Sequence, residues 1–109
     1  PILRDYADDY LSCPDYVAAR GMRLLGASCG EDARVISGES GAVTMGALSL
    51  LMESPELAGV RETMGLGPDS VVLLINTEGD TDPVAYRRIV LDGGYPTPDQ
   101  IALGLKPGA

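Results

Sequence analysis

The sequence predicts an α/β fold in which helices flank part of a parallel open sheet. Three observations carry that prediction. Val71-Val72-Leu73-Leu74-Ile75 is a run of five apolar residues, three of them β-branched, and reads as a strand buried on both faces. It feeds a polar loop and then a helix, with Asp82 at the N-cap and Pro83 in the first turn. A second short strand, Arg34-Val35-Ile36-Ser37, also runs through a polar turn, Gly38-Glu39-Ser40-Gly41, into an apolar helix. Two strands joined through helices make one right-handed crossover, and ligands bind beyond the carboxyl ends of such strands. The two polar turns are therefore expected at the same sheet edge, where one ligand can touch both.

Residues 2–11 place Ile2 or Leu3, Tyr6, Tyr10 and Leu11 at helical intervals, which predicts a short amphipathic helix. Pro14 interrupts it and begins a second helix over 14–25. There Tyr16, Val17, Ala19, Met22, Leu24 and Leu25 supply apolar surface, Arg20 and Arg23 read as a solvated face, and Gly26 terminates. Gly21 weakens the middle of this helix by about 1 kcal/mol relative to alanine.

The helix over 42–52 is almost wholly apolar, so it is expected to be buried on most sides, with small residues that admit a neighbouring backbone. Any apolar surface left exposed along it is expected to be covered by another chain or by a missing half. Ser54 and Pro55 start a helix that ends near Gly65. After the helix over 83–92, Gly93-Gly94 stops the chain, and Thr97-Pro98-Asp99 caps a short turn in a Pro/Gly-rich tail over 96–109. Two strands alone make a marginal sheet, and the chain opens with Pro1 instead of Met. A segment of a larger sheet is the expectation.

At 109 residues with 45% hydrophobic composition the chain is one globular domain in size. Sixteen acidic against eight basic residues give a net charge of −8 and leave no basic stripe for a phosphate backbone. Nucleic acid and membrane are thus not expected as partners, and with no signal-like stretch a cytoplasmic location is the default. Cys13 and Cys29 have no metal spacing and read as buried free thiols. The absence of histidine rules out a Ser-His-Asp or Cys-His apparatus built within this chain.

That absence bears on Gly38-Glu39-Ser40-Gly41, which superficially suggests a hydrolase nucleophile elbow. The second glycine falls one position early and no general base remains, so a helix start capped by Ser40 is the preferred reading. Glu78, Asp80 and Asp82 alternate as in a calcium loop, but Pro83 stands where glycine is required and Ile89 where the twelfth ligand should be. No metal site is expected.

Ser12-Cys13-Pro14-Asp15-Tyr16-Val17-Ala18-Ala19, Gly21-Met22-Arg23, Arg34 through Ala42 and Thr77 through Pro83 together closely resemble the C-terminal part of the diaminopropionate ammonia-lyase family. That family is one of the fold type II, tryptophan-synthase-β-like pyridoxal 5'-phosphate enzymes. The resemblance runs from about residue 3 to residue 95. It implies that residues 1–95 are the C-terminal part of a cofactor-binding domain, and that the reaction is α,β-elimination of a small amino acid, 2,3-diaminopropionate, to pyruvate and ammonia. By resemblance Asn76, with Thr77, meets the pyridine nitrogen where relatives usually carry serine, and Glu39 lies near the cofactor.

The family's Schiff-base lysine and glycine-rich phosphate loop precede the matched part. Lys106, the only lysine, lies beyond it in the tail and cannot replace that lysine. The chain alone is therefore expected to be inactive and to carry no catalytic residue, with the remainder of the same enzyme and a second copy, as a homodimer, for partners. The alternatives are a noncatalytic module of this fold, for ligand binding or subunit association, and a segment of another fold type II lyase or dehydratase.

Overall fold

A computed structural model describes residues 2–27 and 29–102. It contains α1 (Ile2–Tyr6), α2 (Asp15–Gly26), α3 (Glu39–Glu53), a 3-10 turn at Pro55–Leu57, α4 (Ala58–Thr63), α5 (Pro83–Val90) and α6 (Pro98–Ala102). Lys106 and the rest of the tail after residue 102 lie outside the described residues.

α2 and α3 pack with their backbones touching. A Cβ on Gly21 would overlap the Ala42 carbonyl, and one on Gly46 would fall 2.8 Å from the Val17 carbonyl carbon. Both positions must lack a side chain, which explains a glycine in the middle of a helix that pays for it in propensity. On α2 the buried residues Val17, Ala18, Gly21 and Met22 recur at helical spacing and form the inward face. Ala19, Met22, Ala42 and Ile89 make the core where α2, α3 and α5 meet, with Leu25, Tyr86 and Val90 against it.

Helix ends follow local chemistry. The Asp82 carboxylate accepts from Ala85 N–H at 3.1 Å and Pro83 opens α5, as expected. After α4, Gly65 adopts φ +73°, and Leu66 N–H closes on the Arg61 carbonyl at 3.0 Å. The Arg61 guanidinium donates in turn to the last carbonyls of α3, Leu51 at 2.8 Å and Met52 at 3.1 Å. Thr97 and Gln100 bond each other reciprocally at α6 (2.8 and 3.3 Å), and Pro96 and Thr97 are buried.

The open parallel sheet is not formed: among the described residues there is no strand. Arg34–Ser37 and Val71–Ile75 take no regular secondary structure. Val35 N–H is taken by the Leu25 carbonyl at the end of α2 (2.9 Å), and Gly38 N–H to the Glu78 carbonyl (3.0 Å) is the only backbone bond joining the two stretches among the described residues. A strand needs a partner along its length. Val71, Leu73 and Ile75 stand 99%, 85% and 68% exposed instead of buried on both faces.

Other expectations are corrected by packing. Arg20 and Arg23 do not form a solvated face. Arg20 bridges to α3, donating to Ser49 Oγ and Glu53 Oε2, both at 2.7 Å. Arg23 donates to the Ile89 carbonyl at 3.0 and 3.2 Å and to that of Gly94, so a cation from α2 holds the C-terminal end of α5. Ser40 is inside α3, whose N-cap is Gly38, and Ser54 occupies a cap position without a side-chain bond. Cys13 and Cys29 are free, but half-buried and exposed respectively. Tyr10 and Leu11 lie beyond the end of α1 and are exposed, as is Tyr6. Among the described residues no helix is long and apolar enough to cross a membrane.

Two substitutions test this account. Gly46→Ala gains about 1 kcal/mol of helix propensity, yet we expect a net loss of about 1–3 kcal/mol, because the obstacle is backbone. A urea midpoint equal to or above that of the parent would show that the helices do not touch. Asp82→Ala should lower stability by about 1 kcal/mol through loss of the cap, read in the same transition.

Candidate functional site

Two loops meet at one point. Ser37, the last residue before the Gly38 N-cap of α3, is fully buried at 0% exposure, and has one hydroxyl proton facing three acceptors: Gly38 O and Asn76 Oδ1 at 3.0 Å and Glu78 O at 3.1 Å. Asn76 Oδ1 also accepts from Glu78 N–H at 3.0 Å, an Asx turn within its own loop. With Gly38 N–H on the Glu78 carbonyl, the two loops are clipped by a closed set of hydrogen bonds. A backbone N–H only donates, so the oxygen of the Asn76 carboxamide must be the end turned inward. Its NH2 takes no part in this set.

The glycines of Gly38-Glu39-Ser40-Gly41 serve this contact. A Cβ on Gly41 would overlap Asn76 Oδ1 and lie 2.6 Å from Ser37 Oγ and 2.9 Å from Glu78 N, whereas a Cβ on Gly38 would run into the Glu78 side chain. Beside the clip is a cavity of about 280 Å³, bounded by the start of α3 (Gly38, Glu39, Ser40) and the loop 78–82. Met22, Ile36 and Tyr86 form its apolar wall, and Glu39, Glu78, Asp80 and Asp82 its charged rim. Tyr86 Oη is buried without a protein partner, against the backbone of Gly26.

Of the residues singled out in the sequence, Glu39 lines the cavity, half-buried in the first turn of α3. Asn76 belongs to the clip and, like Thr77, is exposed and does not line the cavity. Sequence reasoning missed Ser37, the buried hinge of the set. An Asn two residues before an extended polar loop, opposite a Ser-Gly-x-x-Gly turn, was the available signal.

Among the described residues no group of three acidic or thiol side chains is placed to hold a metal. For an aromatic nitrogen heterocycle bearing a phosphate, the donor set fits in part. The Asn76 NH2 can donate to an unprotonated ring nitrogen. A phosphate does not fit the cavity, because no cation lines it and four carboxylates do.

No family model matches the sequence. The diaminopropionate ammonia-lyase of Escherichia coli (strain K12) is 50% identical over 94 residues, which are 86% of this chain and 24% of the relative. That of Salmonella typhimurium is 43% identical over 94 residues, 85% of this chain and 23% of the relative. The chain thus spans about a quarter of the length of the curated relatives it matches. The crystal structure of the E. coli enzyme with D-serine superposes with a TM-score of 0.82 at 48% identity, over 87% of this chain and 24% of that one. The same enzyme with an aminoacrylate-PLP azomethine reaction intermediate gives 0.82 and 48%, over 87% and 25%. The resemblance to diaminopropionate ammonia-lyase read from the motifs holds across the matched stretch.

The clip predicts an asymmetry between its glycines. Gly41→Ala meets an anchored carboxamide and a backbone nitrogen and should lower stability by about 1–3 kcal/mol. Gly38→Ala meets only a long side chain that can swing away, and should cost under about 1 kcal/mol. Thermal unfolding of the two variants gives the ranking, and the reverse order would show that Asn76 is not held against α3.

Proposed function

We propose that this chain supplies one wall of the cofactor site in a pyridoxal-phosphate-dependent carbon–nitrogen lyase of the diaminopropionate ammonia-lyase kind. The observation that carries the reading is the clip itself: a carboxamide whose NH2 takes no part in it, in a stretch about half identical to those enzymes. When bound, pyridoxal 5'-phosphate supplies the electron sink that lets bonds at the substrate Cα and Cβ break.

The chain's own groups orient and tune. Asn76 donates to the ring nitrogen, with Thr77 beside it as a second donor, and Glu39 faces the ring from the start of α3. Glu39, Glu78, Asp80 and Asp82 repel the phosphate, so it is held by residues outside this chain. The lysine that anchors the cofactor also comes from elsewhere, since Lys106 is the only lysine here and lies in the tail. The 109 residues alone are then inactive. The whole enzyme is read as a cytoplasmic homodimer that converts 2,3-diaminopropionate to pyruvate and ammonia, with residues 1–95 in the cofactor domain.

Complementation tests this. The chain is mixed with the preceding three quarters of the E. coli enzyme and pyridoxal 5'-phosphate, and pyruvate formed from 2,3-diaminopropionate is measured. We expect turnover in the mixture and none from the chain alone, and Asn76→Ala should lower kcat/KM by about five- to tenfold, the value of one charge-free hydrogen bond. Pyruvate formed by the chain alone would overturn the assignment. Self-association without cofactor binding would instead favour a noncatalytic module.

A further inference from the structure

The inward end of the Asn76 carboxamide has two partners of different kinds. Glu78 N–H is two residues away on the same loop and moves with it, so an Asx turn alone fixes the amide relative to its own loop and nothing more. Ser37 Oγ is 39 positions away, fully buried, on the loop that leads into α3. Its bond is what ties the amide plane to the helical core. The hydroxyl also faces the Glu78 carbonyl at 3.1 Å, the same carbonyl that accepts from Gly38 N–H at 3.0 Å, so movement of either loop disturbs both. A Cβ on Gly41 would take the space that the Asn76 oxygen occupies.

We infer that Ser37 is a positioning residue: its buried hydroxyl pins the Asn76 carboxamide oxygen so that the NH2 is held in one fixed direction, toward the cofactor ring. The second half rests on the reading of Asn76 given above, and the first half stands on geometry. The alternatives for a buried serine are a packing role without consequence for Asn76, or a bond serving only the Gly38 and Glu78 carbonyls. Either would leave the amide held by the Asx turn alone, fixed to its own loop and not to the helical core.

The test has two arms that separate these ideas. In the 15N-labelled full chain, the side-chain amide of Asn76 is followed by NMR relaxation. It should be as rigid as the backbone in the parent, gain mobility in Ser37→Ala, where the Asx turn alone remains, and stay rigid in Ser37→Thr, which keeps the hydroxyl. An amide equally rigid in Ser37→Ala overturns the positioning role. In the complemented assembly, pyridoxal 5'-phosphate affinity and the pH profile of its visible absorbance are measured for Ser37→Ala, Asn76→Ala and the double variant.

Ser37→Ala should weaken cofactor binding by about five- to tenfold, as for one lost hydrogen bond, and shift the absorbance profile in the direction of Asn76→Ala. Placed on Asn76→Ala it should add nothing. Equal losses in both backgrounds would mean that Ser37 acts only on stability, and would overturn the proposal. If Asn76→Ala leaves affinity and spectrum unchanged, the reading of Asn76 fails, and the claim about the ring falls with it even where the NMR arm succeeds.

Discussion

The close approach of α2 and α3 at Gly21 and Gly46 is the constraint on which the other contacts depend. Backbone against backbone leaves no layer of side chains between the helices, so Met22 and Ala42 reach the same small core and Ile89 of α5 completes it. A core without Phe or Trp has little area to bury per residue, and tight approach compensates with dense packing. The same crossing fixes where α3 begins. Its first residue, Glu39, is also the first residue of the cavity rim, so the geometry of the site is set by a contact two turns away.

α5 is attached by a different kind of contact. Ile89 is buried against α2, and the Arg23 guanidinium spans the Ile89 and Gly94 carbonyls, closing the end of the helix and the turn after it in one stroke. Burial lowers the pKa of that guanidinium, the direction expected when a cation loses water, but it stays charged at neutral pH. Its Nη1 is buried without a protein partner, as is Tyr86 Oη on the same helix that Arg23 holds. The loop 78–82 hangs between this anchored helix and the Ser37–Asn76 clip. It is therefore fixed at both ends, while Asp80 and Asp82 are exposed.

Helices were legible because each carries its own evidence. Apolar spacing marked α2, and Asp82-Pro83 marked the start of α5 to the residue. The strands were not, because five apolar residues state that a segment is extended and apolar but not what pairs with it. Val35 spends its amide on α2, and nothing in Arg34-Val35-Ile36-Ser37 announces that. The arginines misled for the same reason: a cation on a helix pattern is indistinguishable from a solvated one until the carbonyl it meets is known. Gly21 was visible as a cost and Gly41 as a turn residue. Their common purpose, close approach of another group, lies in partners far along the chain. Of the site, Glu39 and Asn76 were both reached through family resemblance.

Charge gives the site a direction. The rim of Glu39, Glu78, Asp80 and Asp82 makes the cavity hostile to anions, while the clip consumes the only acceptor of the Asn76 amide and leaves its donors. A neutral ring edge that accepts a hydrogen bond is tolerated by such a surface, and an ammonium group is welcome near it; a phosphate is repelled. A phosphate on any ligand of this surface is directed away from the acidic rim. Glu39 also sits in the first turn of α3, at the positive end of the helix dipole. The polarity of the wall is thus written into the backbone as well as the side chains, because Gly38 at the N-cap and Gly41 one turn later place the helix start and the carboxamide oxygen within touching distance.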